Sequence, residues 1–247
     1  MFLISVNLGT ADAIAALYLL SLSFFNLYYA GNFGIEADHW RHSWRCYFLE
    51  FTFFASSEAS LSFTTFLSVH LAINIPAIVK KELSKNKTIL KIAAVWSFVI
   101  LISLARQGIV LNFEMDPYNY FCLPFLTTSH EKTISICLHV FLLFLNLALI
   151  SVTVACYTFL FHHTIKAKSN KHLQNIRKRK AVLKKFAARM AVLIITTMLT
   201  WIPVLCVQCM TLLNYELPSN TLLWVVFSSI SVNLIFDPIL ISMCIIV

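Results

Sequence analysis

Apolar stretches long enough to cross a lipid bilayer recur along this 247-residue chain and constrain its fold more than any other feature. A transmembrane helix needs about 20 predominantly apolar residues, and a backbone in lipid must satisfy its own hydrogen bonds. Glycine and alternating patterns are too scarce for a transmembrane barrel. We therefore predict an all-α fold, a polytopic transmembrane helix bundle in one domain over residues 1–247. Its six spans are predicted at residues 2–29, 44–75, 89–112, 132–161, 184–213 and 220–247.

Basic residues are concentrated in two segments. Of the 19 Lys and Arg residues, 15 lie in or beside residues 76–91 and 162–189, and they account for most of the net charge of +8. Basic loops stay in the cytoplasm, and both segments reach that side if the six spans alternate. We therefore expect a multi-pass plasma-membrane protein whose basic loops contact anionic lipid. This placement of the charge argues against a nucleic-acid partner.

The seven cysteines divide into two groups by position. Five lie within predicted spans, where cysteine usually packs as a small apolar residue. Cys46 and Cys122 lie at or outside the outer face, which is an oxidising environment. We predict a disulfide between them that holds the long outer loop over the mouth of the bundle.

Three carboxylates, those of Asp12, Glu58 and Asp237, lie inside predicted spans. Intramembrane acids are costly and usually functional, although a lone one can be protonated and inert. A pair of acids in a low dielectric must take up a proton or bind a cation. The pattern therefore predicts either a shared proton or a sodium-like ion. Two of the acids, with the nearby polar residues Asn7, Ser60 and Asn233, are best interpreted as one polar cluster.

Two prolines, Pro203 and Pro238, lie deep in the last two spans, and Trp201 precedes the first of them by two residues. Proline removes a backbone hydrogen bond and kinks a helix. Kinked helices beside a polar core allow a bundle to adopt two packings. The pattern predicts a conformational switch in these spans.

These residues resemble motifs of the rhodopsin-type (class A) G protein-coupled receptors, from the second helix of that family to the seventh. The resemblance implies a seven-helix receptor fold that lacks its first helix, with six spans present. The motif residues, in chain order, are Leu8, Ala11 and Asp12; Cys46 with Cys122; Trp96; Tyr157; Thr200, Trp201, Ile202 and Pro203; and Asn233, Asp237 and Pro238.

The resemblance also implies roles for individual residues. It implies a sodium pocket formed by Asp12, Ser60, Asn233 and Asp237, and no other cofactor. It implies a switch formed by Trp201, Pro203, Pro238 and Tyr157, and a ligand cavity that contains Glu58 and Gln208. It also implies a heterotrimeric G protein as the partner at the cytoplasmic side.

Further residues resemble the relaxin-receptor branch of the leucine-rich-repeat receptors. Glu58 lies in the stretch SSEAS, twelve residues after Cys46, and Trp40 lies six residues before Cys46. The stretches WIPV at 201–204 and YELP at 215–218 are similar to that branch as well. This resemblance implies that an outer leucine-rich-repeat domain captures a peptide or protein hormone and then presses on the bundle.

Two departures from the family leave an alternative open. His70 and Leu71 stand where the acid and arginine of the D/E-R-Y triad are expected, and Ile241 replaces the tyrosine of N-P-x-x-Y. The alternative is a truncated or non-signalling relative that acts by association with other receptors. A transporter or channel that uses Asp12 and Asp237 as ion ligands is a weaker alternative, because the two halves of the sequence show no repeat symmetry. We do not expect an enzyme, because neither a nucleophile–base arrangement nor metal-ligand spacing is recognisable.

Overall fold

A computed structural model describes residues 2–29, 39–40, 42–77, 85–110, 122, 133–166, 192, 195–210, 212–213, 215, 225, 227–229, 231–232 and 235. Four long helices account for most of them. These are α1 (Phe2–Tyr28), α2 (Trp44–Ala77), α3 (Lys85–Val110) and α4 (Thr133–Lys166). A fifth helical segment, α5, covers Ile195–Met210, and further helical residues lie between 225 and 235. No strand occurs in these described ranges.

The helices confirm the predicted all-α bundle, and the first four predicted spans coincide with α1 to α4 within a few residues at each end. Within the described ranges, three helices contain segments long and apolar enough to cross a membrane, namely Leu3–Phe25, Asn86–Gly108 and Ile136–Leu160. Large apolar side chains such as Leu20 and Phe24 point outward from α1. Such exposure is expected of a surface that meets lipid rather than water.

Helix α2 is the centre of the bundle and packs against α1, α3 and α4. It carries Glu50 near its start and, in its middle, Glu58 with several hydroxyl residues. A central helix can carry such residues because its neighbours shield them from lipid. Some hydroxyls bond back to their own helix, as Thr52 Oγ1 does to the Phe48 carbonyl at 2.7 Å.

Among the described residues, most buried apolar side chains form two clusters, one toward each end of α2. The Cys46 cluster includes Trp40, Cys46, Leu49, Phe53, Leu61, Cys122, Ile150, Trp201 and Leu205. The Leu71 cluster includes Ile4, Leu8, Phe63, Leu67, Leu71, Ile92, Val99, Tyr157 and Leu160. Among the described residues, the polar side chains of Asp12, Glu58 and Ser60, which have predicted roles, are buried and therefore sit inside the bundle.

Candidate functional site

The predicted disulfide between Cys46 and Cys122 is present, with the two Cα atoms 5.3 Å apart. Both cysteines are fully buried, and Cys122 has a positive φ of 50°. Trp40 packs beside the bridge, with its ring centroid 4.7 Å from that of Phe25 at the end of α1. The bridge therefore ties residue 122 to the first turn of α2, under an aromatic cover.

Asp12 and Ser60 meet between α1 and α2. The Ser60 hydroxyl donates to Asp12 Oδ1 at 2.9 Å, and the carboxylate is buried. Asp12 Oδ2 has no hydrogen-bond partner among the described residues. A carboxylate oxygen and a hydroxyl oxygen are ligands that suit a hard cation, so these two residues fit the predicted sodium pocket. The other two residues of that prediction, Asn233 and Asp237, lie outside the described ranges.

Asn7 connects α1 to α3 and is not part of the Asp12–Ser60 hydrogen bond. Its Oδ1 atom accepts a 2.8 Å hydrogen bond from Trp96 Nε1, and its own Nδ2 donates to the Leu3 carbonyl. The Trp96 ring also packs against Phe63 of α2, at 5.5 Å between centroids. Trp96 therefore connects three helices near the Leu71 cluster.

Glu58 is buried between α2 and α4. Asn146 Nδ2 donates to Glu58 Oε1 at 3.1 Å, and Asn146 is fully buried. The sequence analysis did not single out Asn146, although it is the one asparagine in the predicted span 132–161. The other predicted cavity residue, Gln208 on α5, is partly buried, and its Oε1 atom has no partner among the described residues.

A buried ion pair joins α2 to α3, and the sequence analysis missed it. Arg106 Nη1 lies 2.9 Å from Glu50 Oε1, and both side chains are almost completely buried. The guanidinium carbon lies 4.9 Å from the centroid of the Phe54 ring. The sequence feature that could have predicted this pair is an arginine within an otherwise apolar run. An ionisable residue inside a span usually has a partner of opposite charge.

Residues 1–240 match the profile of the family described as 7 transmembrane receptor (rhodopsin family). The chain belongs to this receptor family. It is a membrane protein, and the family is a class of receptors. The described helices, the disulfide and the Asp12–Ser60 pair agree with the motifs that predicted this membership.

Receptors similar to this chain include several relaxin receptors. Relaxin receptor 1 of Homo sapiens is 26% identical over 243 residues, which cover 95% of this chain and 31% of the relative. Relaxin receptor 2 of Canis lupus familiaris is 26% identical over 242 residues, covering 93% of this chain and 31% of the relative. G-protein coupled receptor GRL101 of Lymnaea stagnalis is 23% identical over 253 residues, covering 97% of this chain and 21% of the relative. The chain spans about a third or less of the length of these relatives.

The predicted switch residues of this receptor chain divide between the two clusters. Trp201 is buried in the Cys46 cluster together with Leu61, and Pro203 is partly buried two residues later. Tyr157 is buried in the Leu71 cluster. Pro238 lies outside the described ranges. The switch role itself stays a prediction.

His70 and Leu71, which the sequence analysis assigns to the family's triad positions, differ in environment. Leu71 is buried against the apolar side chains of the Leu71 cluster, which also contains Tyr157 and Leu160. His70 is partly buried and meets the Phe66 ring edge-on, with 6.4 Å between centroids. The assignment of Leu71 to the position of the family's arginine stays a prediction.

Proposed function

We propose that this chain is the transmembrane domain of a G protein-coupled receptor that transmits a peptide or protein hormone signal, relaxin-like in type, across the plasma membrane. The observation that carries the proposal is the family match over residues 1–240 together with the similarity to relaxin receptors 1 and 2. The buried polar contacts between helices support it, because they supply elements that a ligand could repack.

The proposed signal begins at the disulfide end of the bundle. A hormone, or an outer leucine-rich-repeat domain that holds it, engages the cavity near Glu58 and Gln208. The Cys46 cluster connects this region to Trp201, so a change there can repack α5 about Pro203. A ligand shifts this equilibrium only by binding one packing better than the other. The basic loops at 76–91 and 162–189 then face the G protein and anionic lipid in the cytoplasm.

A chimaeric receptor tests the proposal. Residues 1–247 replace the matching region of human relaxin receptor 1, and the chimaera is expressed in cells. We expect relaxin to raise the second messenger above the level in cells without the chimaera, and we expect Trp201→Ala to reduce that response at equal surface expression. A chimaera that reaches the surface and binds relaxin without any second-messenger response would contradict the proposal.

The alternative of a non-signalling relative is favoured by one observation, the burial of Leu71 among apolar side chains. Such a chain associates with other receptors and activates no G protein. The variant His70→Glu/Leu71→Arg separates the two functions. If a coupling surface remains, we expect this double variant to raise basal second-messenger production, because the variant restores the acid and arginine of the family triad.

The control for that variant is Leu71→Met, which keeps the apolar volume and is expected to leave basal signalling unchanged. Surface expression is measured for each variant, since an arginine at this position must reach the membrane interface to keep its charge hydrated. Unchanged basal signalling of the double variant at normal surface expression would favour the non-signalling function.

We also propose that Asp12 and Ser60 help to hold a sodium ion, with Asn233 and Asp237 completing the pocket. The Oδ2 atom of Asp12, which has no hydrogen-bond partner among the described residues, supports this proposal. Replacing Asp12 by Asn is expected to abolish any dependence of ligand affinity on sodium, because the asparagine side chain has nearly the same shape as aspartate but carries no negative charge. The measurement is hormone binding to the chimaera in sodium and in potassium buffers. A sodium effect that persists in the variant would exclude this pocket.

A further inference from the structure

The buried charges of the described part of the bundle do not balance. Among the described residues, four charged side chains are buried, namely Asp12, Glu50, Glu58 and Arg106. Arg106 is engaged by Glu50 at 2.9 Å, and Asp12 accepts a hydrogen bond from Ser60. Glu58 has a neutral donor, Asn146, as its described hydrogen-bond partner. A carboxylate in this position needs a proton or a cation, since an uncompensated buried charge is very costly.

An unpartnered acceptor lies beside Glu58. Asn146 Oδ1 is buried and has no hydrogen-bond partner within the described part of the chain. An amide oxygen can only accept, and a buried acceptor without a donor loses free energy. A nitrogen cation would supply a positive charge to the Glu58 carboxylate and an N–H donor to Asn146 Oδ1 together.

The ion pair on the same helix shows how α2 accommodates such a cation. Glu50, Phe54 and Glu58 are spaced by four residues, so they form one row along the helix surface. The guanidinium of Arg106 lies against Glu50 and over the Phe54 ring. Glu58 occupies the equivalent position on the other side of Phe54, and Arg106 also attracts it electrostatically.

We propose that the interior of the bundle beside Glu58 and Asn146 binds a cationic nitrogen group of a ligand, an amidinium, guanidinium or ammonium. This inference rests on the proposed function in one respect. The proposed function places the ligand cavity near Glu58, and the inference states which chemical group of the ligand binds there. Leu61 lies one turn from Glu58 and shares the Cys46 cluster with Trp201. A cation bound at Glu58 therefore lies close enough to influence the packing of Trp201.

Binding of a small planar cation tests the proposal without hormone or G protein. The chain is purified in lipid nanodiscs and titrated with benzamidine, or with benzamide as its uncharged analogue. Thermal unfolding and tryptophan fluorescence are the readouts. We expect benzamidine to raise the unfolding midpoint with increasing concentration and benzamide to have no such effect. No stabilisation by benzamidine, or equal stabilisation by both compounds, would overturn the proposal.

Variants at Glu58 and Asn146 locate the site. Glu58→Gln is expected to weaken benzamidine binding by about ten- to a hundred-fold, the loss typical of a hydrogen bond to a charged group. Asn146→Asp adds an acid and is expected to strengthen binding, which keeps the test informative if the first variant folds poorly. Unchanged affinity in both variants would place benzamidine elsewhere and reject the site.

The matched control removes the neighbouring pair while conserving net charge. Glu50→Gln/Arg106→Gln is expected to keep benzamidine affinity, because Glu58 and its charge remain. The proposal would be contradicted if this double variant lost benzamidine binding while Glu58→Gln retained it. That result would assign the cation to Glu50. The chimaera assay is independent of these titrations, so a silent chimaera overturns the proposed function alone, and failed cation binding overturns this inference alone.

Discussion

Replacing Glu50 by Gln is expected to destabilise the bundle by about 3–5 kcal/mol, the usual cost of removing one partner of a buried ion pair. Arg106 then loses its contact with the Glu50 carboxylate while it stays buried, and a guanidinium cannot lose its proton in a protein. Arg106→Gln is expected to cost less, because the remaining Glu50 carboxylate can take up a proton. The measurements are the unfolding midpoint in nanodiscs and the amount of protein at the cell surface.

The double variant Glu50→Gln/Arg106→Gln decides whether the charges themselves are responsible. We expect it to recover much of the stability lost in Glu50→Gln, because both charges of the pair are removed together and the two amides can bond to each other. The control is Arg45→Gln. Arg45 lies on the same helix, is exposed, and lies over the Phe25 and Trp44 rings, so its loss should be mild. A Glu50→Gln variant as stable as Arg45→Gln would contradict the importance of the pair.

Breaking the disulfide is the change with the second largest expected effect. Cys46→Ser or Cys122→Ser is expected to destabilise the protein by about 2–5 kcal/mol, because the bond closes a loop between residues 76 positions apart and both sulfurs are buried. Serine in either buried position also places a hydroxyl beside Trp40 and the other apolar side chains of the Cys46 cluster. Surface expression should fall sharply, as measured by labelling of intact cells.

The cysteine pair offers its own controls. The double variant Cys46→Ser/Cys122→Ser should be about as impaired as either single variant, because all three lack the same bond. Cys137→Ser, which changes a free and exposed cysteine, should leave expression unchanged. Normal surface expression of either single variant would show that the bridge is dispensable.

The sequence alone determined the helices and the disulfide, because both follow from local properties of the chain. A single run of about 20 apolar residues in lipid folds as a helix, because a helix satisfies the hydrogen bonds of its backbone within the segment itself. Motif residues such as Trp96 and Trp201 could be assigned by their order along the chain. The pairing of Cys46 with Cys122 followed from their position at the oxidising face.

Only the tertiary structure decided that Glu50 meets Arg106 and that Glu58 meets Asn146. The spans are apolar on the faces toward lipid and on the faces toward other helices, so the sequence contains little information about how each helix is rotated about its axis. Glu50 and Arg106 are 56 positions apart, and Glu58 and Asn146 are 88 apart. Both contacts depend on rotations that are set by packing of the Cys46 and Leu71 clusters around α2, because close-packed side chains fix helix orientation more sharply than apolar composition does.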